Sequence, residues 1–122
     1  MNVTLTQREA SAFSAIDHAA SVLQKGAARA IVAGGVDDFE SLYMRVHDRF
    51  KALARDQGQG EASRPFDKRR NGMVLGSGAF LMVLERVDSA RERGVESRGS
   101  LAGIAASSSS CGTHGWSDDP SQ

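Results

Sequence analysis

Ala30-Ile31-Val32-Ala33-Gly34-Gly35 is the stretch that decides the fold: a short apolar run closed by two glycines, the form of a strand buried on both faces. Working upstream, Ala12, Ala15, Ile16, Ala19, Val22 and Leu23 recur at helical spacing, and Gly26 after Lys25 is a stop signal. Further upstream, residues 2–7 (Asn-Val-Thr-Leu-Thr-Gln) alternate apolar and polar and are rich in β-branched side chains, as a strand would be. The order strand–helix–strand predicts a parallel βαβ unit.

Downstream, residues 39–54 are helical by pattern, with Leu42, Tyr43, Val46, Phe50 and Leu53 forming a stripe. Residues 55–72 read as a polar loop broken by Gly58, Gly60, Pro65 and Gly72. Ala79-Phe80-Leu81-Met82-Val83-Leu84 is the most apolar segment and is expected as a central strand beside Ala30–Ala33. Residues 87–93 give a short helix ended by Gly94, and residues 100–106 a further strand leading into the serine run 107–110. The expected class is α/β, one mostly parallel sheet with flanking helices.

The chain has 122 residues, the size of one domain. Its 15 basic and 15 acidic side chains cancel, which removes the net positive charge that general nucleic-acid binding needs. Hydrophobic residues make up 40% and aromatics 6%, with 13 glycines, so the core is expected to be built from small side chains at close backbone approach. The single cysteine, Cys111, rules out an internal disulfide and a cysteine-based zinc site. No apolar run reaches the roughly 18 residues that cross a bilayer, and residues 1–20 carry no signal-peptide core. A soluble, cytoplasmic protein without cofactor or metal is expected.

Two stretches go beyond propensity. Residues 63–79, Ser-Arg-Pro-Phe-Asp-Lys-Arg-Arg-Asn-Gly-Met-Val-Leu-Gly-Ser-Gly-Ala, running on into Leu81-Met82-Val83-Leu84-Glu85, resemble the middle of a β-ketoacyl-acyl-carrier-protein synthase. That family carries an Arg-Pro-Phe-Asp loop, a glycine-rich turn and a hydrophobic strand ending in Leu-Glu. Residues 15–25 followed by Ile31-Val32-Ala33-Gly34-Gly35 resemble the helix and strand that follow the family's nucleophile. The resemblance runs from about residue 2 to residue 110. It implies a thiolase-like fold, of which residues 1–122 are one partial domain: the nucleophile strand to the end of the N-terminal half, with the C-terminal half starting at about residue 98. It also implies the family's chemistry, decarboxylative Claisen condensation, in which a cysteine at a helix N-terminus takes an acyl chain from carrier protein and two histidines assist.

One departure matters. The ungapped alignment puts Glu9 at the position of the family's nucleophilic cysteine, within Gln7-Arg8-Glu9. A carboxylate is a poor thioester acceptor, because the anhydride it would form is itself highly reactive. Cys111 lies about a hundred residues downstream in a region where the family has a loop, and is read as a small residue of the serine-rich strand end. His114 matches neither histidine motif and is expected at the surface; His18 and His47 are expected as partly exposed helix residues.

Other departures are read as structural. Ser77 stands in a Gly-X-Gly turn where the family usually has an acidic residue, a tolerated substitution. Asp37, Asp38, Arg45, His47 and Asp48 make the segment after Gly35 more charged than the family's acyl-channel wall; a solvated helix face is an equal reading. The Arg64/Lys68/Arg69/Arg70 cluster either meets an acidic carrier protein or is salt-bridged to the protein's own surface, the second being favoured. Residues 72–78 are not a phosphate loop, since the Lys-Ser/Thr ending is missing and a strand follows.

The resemblance with Glu9 implies a non-elongating relative of fatty acid or polyketide biosynthesis, like the chain-length factor of a polyketide synthase pair. Its expected partners are acyl-carrier protein and a synthase-like subunit or a second copy, with neither nucleic acid nor membrane. The alternative is an inactive truncated fragment of a longer condensing enzyme. An autonomous enzyme with unrelated chemistry has no supporting constellation.

Overall fold

The computed structural model describes residues 2–58 and 60–108, so Cys111 and His114 lie outside the described residues. The elements run α1 (Ser11–Gln24), β1 (Ala30–Asp37), α2 (Ser41–Arg49), β2 (Gly78–Glu85) and α3 (Val87–Glu92). The two apolar runs are neighbours, as the sequence predicts. They pair antiparallel over their whole length, from Ala30 opposite Glu85 to Asp37 opposite Gly78. Among the described residues this is a two-stranded sheet, with no parallel pair of strands in it. Apolar runs identify strands but carry no direction, which is why the antiparallel pairing was not legible.

Residues 2–6 form no strand here; the only pairing near them is an isolated bridge between Gln7 and Glu9. Residues 100–106 form none either. Alternation and β-branching make a segment suitable for a sheet, but a strand exists only where another segment takes up its backbone hydrogen bonds. Neither segment has such a partner among the described residues.

Helix α1 packs on one face of the sheet. Its Ala19 and Leu23 are buried, as is Ala33 of β1, and Ile31, Met82 and Leu84 on that face are half-buried. Burying a leucine such as Leu23 contributes roughly 1.5–3 kcal/mol. The small residues are required by the close approach. A Cβ on Gly35 would stand 2.9 Å from the Ala12 Cβ, and one on Gly34 would stand 2.0 Å from the carbonyl oxygen of Phe80 across the ladder. The opposite face is open. Val32, Val36, Leu81 and Val83 project from it, each 58–70% exposed, where the sequence reading expects burial on both sides.

The three helices among the described residues end on the same hydrogen-bond pattern, in which an amide beyond the end reaches back five residues to a carbonyl: Ala27 to Val22, Ala52 to His47 and Val95 to Ala90. The pattern needs a left-handed residue just before that amide. Gly26 and Gly94 supply it, both with φ of 68°, but after α2 the residue is Lys51, with φ of 56°. With no glycine to mark its end, α2 reads too long in the sequence. Beyond Lys51 the chain turns to meet the glycine-rich segment: the Met73 amide donates to the Ala52 carbonyl and the Ala54 amide to the Met73 carbonyl, both at 2.8 Å. No helix among the described residues is long and apolar enough to cross a membrane.

Candidate active site

Glu9 stands at the turn that leads into α1, two residues before its first residue, and its side chain is exposed. The turn is tight. Arg8 takes a left-handed conformation, with φ of 52°, unusual for a residue with a long side chain. Two backbone bonds close it, Ala10 amide to Gln7 carbonyl at 3.2 Å and Ser11 amide to Arg8 carbonyl at 3.1 Å. The Ser11 hydroxyl adds two more: it accepts the Gln7 amide proton at 2.8 Å and donates to the Arg8 carbonyl at 2.6 Å. The Ser14 hydroxyl, one helical turn on, donates to the side-chain carbonyl oxygen of Gln7.

The residue-9 side chain is therefore presented at the positive end of a 14-residue helix that packs on β1 and buries its Ala19 and Leu23. That placement suits an anion or a thiolate. It does not make a carboxylate a useful acyl acceptor. The sequence reading identified Glu9 and assigned nothing to Ser11. The available signal was a serine at the helix start, where hydroxyls satisfy turn and first-turn backbone groups.

The described histidines are not brought to Glu9. His18 is exposed on α1, nine residues on, which in a helix is about 13 Å along the axis. His47, half-buried near the end of α2, lies 2.8 Å through Nδ1 from the Tyr43 carbonyl, with its ring 4.1 Å from that of Tyr43. Since a carbonyl only accepts, Nδ1 carries the proton.

Ser77 is more than a neutral turn residue. Its hydroxyl accepts the Phe39 amide proton at 2.8 Å and donates to Asp38 Oδ1 at 3.2 Å, tying the end of β1 to the start of β2. Beside this tie lies a cleft of about 200 Å³ lined by Asp37, Asp38, Phe39, Tyr43, Val74, Leu75 and Gly76. The charged residues after Gly35 are thus divided: Asp37 and Asp38 face the cleft, while Arg45 and Asp48 are exposed on α2.

In the basic cluster, Arg69 is bound by Asp67 through Nε at 3.2 Å and Nη2 at 3.0 Å, and the Arg70 guanidinium donates to the Asp67 carbonyl at 3.0 Å. The Arg69 side chain, then its backbone amide, hold the Asp67 carboxyl below the usual range. Arg64 and Lys68 make no ion pair among the described residues. The cluster is half spent on its own loop. At the end of β2, Glu85 is bound by Arg93 at 2.6 Å, which lowers its carboxyl. Asp88, at the start of α3, is pulled down to about 2 by the Arg86 guanidinium at 2.7 Å and by the Ser89 amide.

Residues 1–90 match the family described as β-ketoacyl synthase, N-terminal domain. The chain belongs to the β-ketoacyl synthase family. Among curated relatives it is 38% identical over 108 residues to the 3-oxoacyl-[acyl-carrier-protein] synthase 2 of Vibrio harveyi, covering 87% of this chain and 26% of that one. It is 33% identical over 97 residues to the tetracenomycin polyketide synthase ketoacyl synthase alpha subunit of Streptomyces glaucescens, covering 78% and 23%. A crystal structure of a β-ketoacyl synthase from Burkholderia phymatum superposes with a TM-score of 0.65 at 32% identity, over 71% of this chain and 22% of that one. The antiparallel sheet and its helices are thus part of the thiolase-like fold of a β-ketoacyl synthase. The chain spans about a quarter of the length of the curated relatives it matches.

Proposed function

We propose that this chain is a non-elongating member of the β-ketoacyl synthase family, like the chain-length factor of a polyketide synthase pair. The reading rests on the sequence alignment that puts Glu9 at the position of the family's nucleophilic cysteine, and is supported by the place of Glu9 at the turn into the N-terminus of α1. A carboxylate there transfers no acyl chain onward, because the mixed anhydride it would form is hydrolysed readily. The scaffold around it is kept, in the Gly34-Gly35 contacts, the Arg-Pro-Phe-Asp loop and the strand ending in Leu84-Glu85.

In this reading the protein works beside a cysteine-bearing synthase and acyl-carrier protein, in fatty acid or polyketide biosynthesis. The chemistry left to Glu9 is assistance to malonyl decarboxylation. The bond between the malonyl α-carbon and its carboxylate breaks, CO2 leaves, and the electron pair passes to the thioester enolate. Helix amides stabilise that enolate, and a proton from water completes the acetyl thioester. The test is CO2 release from malonyl-carrier protein by wild type and Glu9→Ala, with and without a cysteine-bearing synthase from the same gene neighbourhood. Release that depends on Glu9 supports the reading; equal release by both proteins contradicts this role for Glu9.

A further inference from the structure

The turn that presents residue 9 has no glycine in it, and Arg8 takes a left-handed conformation there, which a residue with a Cβ adopts only at a cost. Such a conformation persists only where its surroundings over-determine it. Here one hydroxyl makes two of the four bonds that close the turn. Ser11 Oγ bonds both ends of the strained unit, the Gln7 amide before Arg8 and the Arg8 carbonyl after it. Ser14 then holds the Gln7 side chain against the next helical turn.

We infer that Ser11 is the positioning residue of this site, its hydroxyl fixing the Gln7–Glu9 turn and with it the direction of the residue-9 side chain at the head of α1. The inference takes its functional meaning from the reading of Glu9 above, but its geometry is independent of it. The rest of α1 is held elsewhere, by Ala19, Leu23 and the contact of Ala12 with Gly35. Removing the Ser11 hydroxyl therefore frees the turn and leaves the helix in place. Arg8 loses one of its two carbonyl bonds, and the Gln7 amide loses its partner.

The experiment uses the whole chain with Glu9→Cys and Cys111→Ser, so that position 9 carries the only thiol. Thiolate absorbance is followed against pH. A thiol held at a helix N-terminus titrates below its free value of ~8.5, here by about one pH unit. Adding Ser11→Ala is expected to return the titration to about 8.5 and to slow alkylation by iodoacetamide at pH 7 several-fold. Ser11→Thr, which keeps the hydroxyl, is expected to leave both unchanged. Ser14→Ala is expected to shift both in the same direction by less, and it serves if Ser11→Ala lowers helicity. An unshifted titration in both alanine variants, or a threonine variant that behaves like alanine, overturns the inference. Neither result bears on whether Glu9 assists decarboxylation, so the two readings fail separately.

Discussion

Gly35 of β1 and Ala12 of α1 meet so closely that a Cβ on the glycine would lie 2.9 Å from the alanine methyl. This contact sets the distance of the helix from the sheet, and so the place of the turn that carries Glu9. Gly35→Ala is expected to push α1 outward and to cost about 1–3 kcal/mol, the usual range for overpacking. Gly34→Ala should cost more, because its Cβ would stand 2.0 Å from a carbonyl that cannot move without breaking the ladder, at a φ of 154°. Urea unfolding of the two variants gives the order directly.

Lys51 ends α2 in a conformation that glycine adopts freely. Lys51→Gly is expected to raise stability by roughly 0.5–1 kcal/mol, relief of left-handed strain outweighing the added freedom of the unfolded chain. Gly26→Ala and Gly94→Ala, at the same position after α1 and α3, should move the other way. Thermal unfolding of the three variants checks the signs.

The tie between Ser77 and Asp38 makes position 77 sensitive to charge. Ser77→Asp would set a second carboxylate against Asp38, whose nearest oxygen is now 3.2 Å from the hydroxyl. Loss of stability is expected at pH 7, with most of it recovered at pH 3, where protonation of the introduced carboxyl removes the repulsion. Ser77→Asp with Asp38→Asn should recover it at pH 7 as well. Equal losses at both pH values would mean that packing, not charge, governs the site.

The sequence carried much of this arrangement. Gly26 and Gly94 marked two helix ends correctly, and the two apolar runs were legible as adjacent strands. Lys51 hid the end of α2 because nothing in a lysine signals a left-handed turn. Val32 and Val83 read as buried, since an apolar run does not say which of its faces is covered. Glu9 was singled out through the family resemblance, and the structure places it at the turn before α1. The role of Ser11 was not, because it depends on a hydroxyl reaching backbone groups on both sides of Arg8, and pattern alone does not reveal that.

The open face of the sheet predicts association. Val32, Val36, Leu81 and Val83 form one apolar surface, and each strand also has an outer edge unpaired among the described residues. The chain by itself is expected to be oligomeric or to unfold in a concentration-dependent way. Val83→Lys, near the middle of that face, should shift it towards monomer. Sedimentation velocity over a range of concentrations tests this, and a compact monomer at all of them would contradict it.

The most direct test of the account is an elongation assay. The chain is incubated with acyl-carrier protein bearing an acyl group and with malonyl-carrier protein, and β-ketoacyl product is measured. With Glu9 at the position proposed for the nucleophile, no such product is expected, from wild type or from Cys111→Ala. β-Ketoacyl product that persists in Cys111→Ala would contradict the account, and product lost on that substitution would show that Cys111, not position 9, carries the acyl chain.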